Sequence, residues 1–143
     1  MKKKFILICC FLFINLQVNA NNFNEIEIEN QKCLDSGYNM PNCNYIAIQK
    51  YEIEIENILK KFKKVLNETQ YLKIDKSQKK WIDYKKNQYD LYEEIFDTVP
   101  AQIMHLIGTG YKKQIVKNRA EELFDLYKTY MYLEEEYPEY YKK

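Results

Sequence analysis

Apolar positions recur along this chain at helical steps and divide it into segments. Between residues 44 and 66, Ile48, Tyr51, Ile55, Leu59, Phe62 and Leu66 follow one another three or four residues apart. That is the period of one face of an α-helix. Glu52, Glu56, Lys60 and Lys63 fall off the stripe, and Glu56 with Lys60 makes an i, i+4 pair of favourable polarity. A second helix is predicted from Asp75-Lys76-Ser77-Gln78, which resembles a capping box, to about residue 96. Trp81, Tyr84, Leu91, Tyr92, Ile95 and Phe96 supply its apolar side. A third is predicted over 112–136, on the stripe Ile115, Leu123, Leu126, Tyr127 and Tyr130.

The breaks between these segments carry turn chemistry. Asp35-Ser36-Gly37 and Met40-Pro41-Asn42 precede the first helix, and Asn67-Glu68-Thr69 follows it. Asp97-Thr98-Val99-Pro100 ends the second, because proline disfavours helix before it. Gly108-Thr109-Gly110 breaks the chain before the third, and Pro138 closes it, leaving 137–143 as a tail. In 21–32, Glu25, Glu27 and Glu29 alternate with Ile26 and Ile28, a strand-like pattern too short to stand alone, so a polar, extended lead-in is expected. The string EIEIEN recurs at 52–57 inside a helical pattern and is read as coincidence. Three glycines and three prolines are few for an all-β chain. The expected fold is all-α, a small antiparallel helical bundle over 33–136.

The first 20 residues change the composition. Lys2, Lys3 and Lys4 precede the apolar run from Phe5 to Ile14, and Val18-Asn19-Ala20 offers a small-x-small cleavage site. This is the pattern of a secretory signal peptide cleaved after Ala20. The apolar run is about ten residues, against roughly 20 for a membrane span, so no stable anchor is expected after cleavage. Cleavage takes three lysines and no acid from 22 Lys+Arg and 21 Asp+Glu, so the net charge moves from +1 to −2. Nucleic acid, which is bound through a clustered basic face, is not an expected partner. A periplasmic or secreted location follows.

Cys9 and Cys10 leave with the signal, and Cys33 and Cys43 remain. Two cysteines in an exported protein most simply form a disulfide. A metal site needs more ligands, and the only histidine, His105, is far off in sequence. Neither a metal nor another cofactor is expected. His105 stands in the apolar run 103–107 without a partner to make it a catalyst, Ser36 and Ser77 have no nucleophile elbow, and no phosphate loop is present. An enzyme is not the expected class. The fourteen tyrosines fit core-boundary positions, with an aromatic binding surface as the alternative.

Two local patterns add to this. Gln78-x-x-Trp81-x-x-Tyr84-Lys85 is followed about 35 residues later by Arg119-x-x-x-Leu123, with the Cys33…Cys43 pair upstream. The order resembles the LprI-like lysozyme-inhibitor family, whose members carry an early cysteine pair, Q-x-x-W-x-x-Y-R and a later R-x-x-x-L. Lys85 stands where the family usually has arginine. Tyr89 stands where many members have a third cysteine, and the matching fourth is also absent, which predicts a less restrained middle loop. The resemblance implies a protein that binds lysozyme and blocks its cleft; an envelope protein-interaction module of the same fold is the alternative. Residues 97–112 are the expected plug, with His105, Gly108 and Gly110 as candidate partner-binding residues, since the glycines permit an unusual backbone. Gln78, Trp81, Tyr84, Lys85, Arg119 and Leu123 are read as structural. Arg119, the only arginine, is expected to pair across the bundle with an acid such as Glu54 or Asp83, and Gln78 to satisfy a backbone group or support a helix cap.

Overall fold

The computed structural model describes residues 22–141. The signal segment and its cleavage site at Ala20 lie outside these residues. Within them, four α-helices run alternately up and down: α1 over 22–35, α2 Met40–Val65, α3 Glu68–Phe96 and α4 Gln102–Glu136. A short 3₁₀ turn, Pro138–Tyr140, follows, and the Tyr141 ring packs edge-on against Tyr130 at 5.4 Å.

The lead-in is therefore a helix rather than an extended segment. Phe23, Ile26, Asn30 and Cys33 lie at steps of three, four and three, so they share one helical face. Ile26 and Asn30 are buried, while Ile28, the other half of the apparent alternation, is exposed. The Cys33–Cys43 disulfide joins α1 to α2 across the turn at 36–39. Closing so short a loop stabilises the fold by about 2–3 kcal/mol in the chain-entropy view.

Two further boundaries differ from those the sequence predicts. α3 begins seven residues before Asp75, at a capping box made by Asn67 and Gln70. The Asn67 side chain accepts from the Gln70 backbone at 2.9 Å, and Gln70 Oε1 accepts from the Asn67 backbone at 3.2 Å. Asp75 lies inside the helix, paired with Lys79 at 2.6 Å. α4 begins at Gln102, so only 97–101 of the expected 97–112 loop is non-helical.

The core lies between α2 and α4, which run parallel, with α1 and α3 laid alongside. Tyr51, Ile55, Ile58 and Phe62 of α2 meet Val116, Ala120, Leu123 and Phe124 of α4. Phe23 of α1 closes one side, edge-on to Phe124 at 5.5 Å. α3 contributes no fully buried residue; Ile74, Trp81 and Tyr89 cover the core from the other side. Its Tyr84, Leu91 and Ile95 are exposed, and so is Leu126 of α4, against the apolar stripes drawn for them. α3 lies on the outside of the bundle with no fully buried residue, so its buried arc is narrower than its apolar pattern suggests.

A polar ladder fixes the register of α1, α2 and α4. Asn30 donates to Asn44, which donates to Thr109 at 3.1 Å. Lys113 reaches Asn30 at 2.8 Å and Glu27 at 3.2 Å, and the Tyr51 hydroxyl donates to Glu27 at 2.7 Å. Burial acts to raise the Glu27 carboxyl, but the Tyr51 hydroxyl, Lys113 and Lys117 outweigh it and hold the group below its ordinary value. A carboxyl lowered by folding stabilises the native state above its unfolded value and stops doing so as pH falls through the folded one. Stability should therefore decline as pH drops past 4.5, and less steeply in Glu27→Gln. Urea unfolding of both proteins across that range checks this; parallel curves count against it.

Candidate functional site

The five-residue turn at 97–101 caps a hairpin of α3 and α4, and several contacts brace it. Thr98 Oγ1 donates to the Ile95 carbonyl at 3.2 Å, and the Ala101 N–H to Val99 at 2.7 Å. His105 Nδ1 lies 2.9 Å from Asp97 Oδ1. Below them the rings of Phe96 and Tyr111 stack at 5.5 Å, with Tyr92 5.3 Å from Tyr111. The ammonium groups of Lys85 and Lys112 lie 5.8 and 5.3 Å from the centre of the Tyr89 ring. Its hydroxyl donates to the Lys112 carbonyl, and burial raises the phenol above its ordinary value. The middle loop is thus short and braced by rings, hydrogen bonds and an Asp–His pair.

The two glycines act differently from the expectation. Neither has a left-handed backbone; both lie within α4. A Cβ on Gly108 would sit 3.2 Å from Phe96 Cβ, so glycine lets α3 approach α4 at the hairpin end. A Cβ on Gly110 would meet only Asn44, at 3.9 Å. Gly110→Ala should therefore stabilise the protein by about 0.5–1 kcal/mol, the usual helix-interior difference, and Gly108→Ala should gain less or lose. Thermal melts of the two variants decide it; equal gains would contradict the packing role of Gly108.

The outer surface of the hairpin end is apolar with an acidic rim. Val99 and Ile103 are 47% and 56% exposed, and Ile107, one turn on, continues the strip. Leu91 and Ile95 are exposed on the α3 side. Between Lys86 and Lys112 the chain carries Asp90, Glu93, Glu94 and Asp97 and no lysine or arginine, although it has 22 of these in all. Behind the turn lies a cleft of about 490 Å³, walled by Asn39, Pro41 and Tyr45 of the α2 side and by Tyr92, Gln102 and His105. His105 and Gly108 both line it, whereas Gly110 does not. The acidic rim was readable as a gap in the lysines. The cleft was not, because it joins residues about 60 positions apart.

The motif residues assemble elsewhere, as a latch between α3 and α4. Arg119 Nε donates to Gln78 Oε1 at 3.1 Å, and Nη2 to Ser77 Oγ at 3.2 Å. Its acid is Glu122 of its own helix, at 2.9 Å, rather than Glu54 or Asp83. Gln78 thus accepts from the Arg119 side chain in mid-helix instead of satisfying a backbone group or supporting a cap. The guanidinium lies 5.9 Å from the Trp81 ring centre, and Lys85, 2.6 Å from Glu52 of α2, lies 5.2 Å from the same ring. Leu123 is buried in the core and Tyr84 is half exposed. Arg119→Lys keeps the charge and loses the fork, which leaves Gln78 or Ser77 without its donor. The expected cost is about 1–2 kcal/mol, seen as a lower Tm; an unchanged Tm would count against the latch.

No three His, Cys, Asp or Glu side chains among the described residues group to hold a metal ion. None of the described helices is long and apolar enough to cross a membrane. Neither a curated protein nor a solved structure matches the chain. The family model of the lysozyme inhibitor LprI matches residues 29–123, taking in the disulfide, the Gln78–Lys85 stretch, the hairpin end and the Arg119–Leu123 pair. The chain belongs to the LprI lysozyme-inhibitor family.

Proposed function

We propose that the protein is exported by its N-terminal signal and inhibits lysozyme by binding it through the tip of the α3–α4 hairpin. The observation that carries this is the tip itself: exposed Val99, Ile103 and Ile107 with Asp90 and Glu94 behind them, while Glu93 pairs with Lys112 and Asp97 with His105. Secreted lysozymes are often basic. An acidic rim draws a basic partner in and orients it, while an apolar centre excludes water once contact is made. The turn is braced from beneath, so little ordering remains to be done on binding. Inhibition of this kind is steric and requires no catalytic group of the inhibitor's own. His105 belongs to this reading as the partner of Asp97 at the base of the turn.

The test is a lysis assay. Purified secreted protein, added to a lysozyme acting on a suspension of cell walls, should slow the loss of turbidity in a saturable way. No effect at large molar excess over several lysozyme types would reject the proposal. Recovery of a different envelope protein on the immobilised chain, with no lysozyme retained, would favour an interaction module instead.

A further inference from the structure

The end of the bundle opposite the tip has the reverse charge. Between residues 57 and 82 the chain carries eight lysines and two acids, a net of +6, in a protein whose net without the signal is −2. This stretch is the end of α2, the connection and the first half of α3. Elsewhere in the bundle many lysines are matched inside the molecule: Lys50 with Glu29, Lys85 with Glu52, Lys112 with Glu93 and Lys113 with Glu27. At this end, among the described residues, Lys63, Lys73, Lys76 and Lys80 have no acid partner. Lys60 meets Glu56 at 3.8 Å with both side chains largely in water, an arrangement that holds neither charge firmly. From 72 to 80 the exposed positions of α3 are Leu72, Lys73, Lys76, Ser77, Lys79 and Lys80. Asp75, the one acid in that span, pairs with Lys79 at 2.6 Å. Glu68 in the first turn of α3 and Glu134 beside Tyr127 and Tyr130 on α4 also reach this end, outside the lysine face. Lys63 of α2 lies 6.0 Å from the Tyr71 ring centre, which joins the two helices into one face.

The composition of this face selects its partner. Lysine ammoniums are compact, strongly hydrated point charges, whereas the arginine fork suits bidentate capture of a single phosphate. The chain's only arginine is buried elsewhere, at position 119. A face of lysines alone fits a plane of many phosphates rather than one. Within it stands Leu72, 59% exposed, with Lys76 and Lys79 four and seven residues on and so on the same side of the helix. Beneath a layer of lipid headgroups lies hydrocarbon that can take an apolar side chain, which a polyanion in free solution does not offer. The acidic tip does not oppose such docking. Lys76 and Asp97 stand about 30 Å apart along α3 at the helical rise, while salt at about 0.1 M screens charge within about 10 Å. We propose that the α2–α3 end docks on an anionic lipid surface, with Lys63, Lys73, Lys76 and Lys80 over the phosphates and Leu72 entering the headgroup layer. The hairpin tip, at the other end of the bundle, is left clear of that surface.

The experiment is co-sedimentation of the purified secreted protein, free of its N-terminal signal, with phosphatidylcholine vesicles that do or do not contain phosphatidylglycerol. The expected result is saturable binding to the anionic vesicles, at least about tenfold tighter than to the neutral ones and weakening as salt rises. Replacing Lys73, Lys76 and Lys80 together by glutamine should weaken it at least about tenfold, since each lysine near an anionic surface is worth a factor of about five. Leu72→Ser should weaken it about threefold or more, because the leucine enters the headgroup layer. All four positions are exposed, so the Tm of both variants should stay unchanged, which separates lost binding from lost fold. Equal binding to neutral and anionic vesicles, or undiminished binding of the triple variant, would overturn the proposal. So would an unchanged Leu72→Ser together with competition by soluble polyphosphate at equal phosphate concentration, which would assign the face to a dissolved polyanion. None of these outcomes bears on lysozyme inhibition, which is measured without lipid.

Discussion

Replacing Val99 and Ile103 together by serine should weaken inhibition of lysozyme at least about thirtyfold, with the fold unchanged. Both side chains are about half exposed at the crown of the hairpin. Neither is needed by the core, and exposed substitutions of this kind usually cost within about 0.5 kcal/mol. The turn's own hydrogen bonds run through the Val99 carbonyl and the Thr98 hydroxyl, which the substitutions leave in place. At an interface, a residue that fills the dry centre carries about 2 kcal/mol or more, and losing one such contribution alone is a factor of about thirty. Charge acts differently. Exchanging Asp90 and Glu94 for lysine should slow association and reduce its salt dependence, with a smaller effect on dissociation. Glu93 is left alone in this design because it pairs with Lys112. Inhibition constants at two salt concentrations, with circular dichroism as the fold control, measure both effects.

Phe62→Ala should have the largest effect on stability, about 3–5 kcal/mol. The ring is 1% exposed in the α2–α4 interface and meets Tyr127 edge-on at 5.4 Å. Truncation removes its transfer energy and leaves a cavity that two parallel helices cannot easily close. Domains of this size are stable by about 5–15 kcal/mol, so this one ring accounts for a large share. The midpoint of thermal unfolding should fall by about 10–20 °C. Lysozyme inhibition measured well below that midpoint should be retained, because Phe62 lies far along the bundle from the tip. A shift of only a few degrees would mean that α2 and α4 do not share the core described.

The sequence was most legible where one helix face is wholly buried. Ile48, Tyr51, Ile55 and Phe62 stand in the core as their spacing predicts. It was less legible in α4, where the small residue Ala120 and the off-stripe Val116 and Phe124 are core while Leu126 is exposed. α4 touches three other helices, so its buried arc is wide and a single apolar stripe describes it poorly. α1 was misread because alternation at Ile26 and Ile28 drew attention from the helical set Phe23, Ile26, Asn30 and Cys33, of which only Ile26 is an apolar aliphatic. Asn67-Glu68-Thr69 was read as a break, although Asn67 and the next residue, Gln70, make a complete capping box. The Asp75 box had the right residue types but no unpaired helix end to serve. Gly108 was read for backbone freedom, whereas the feature that calls for it is Phe96 on the neighbouring helix, which no local pattern reveals. The Arg119 fork was legible as a fork; its partners were not, because Gln78 and Ser77 are brought to it only by the packing of α3 on α4.

The central claim is that lysozyme is held by the hairpin tip. Hydrogen exchange of the protein with and without excess lysozyme tests it most directly, since it reports where protection is gained. The expected result is slowed exchange at 97–107, with the α2–α3 connection at the opposite end unchanged. Protection confined to that opposite end, or no protection anywhere at saturating lysozyme, would contradict it.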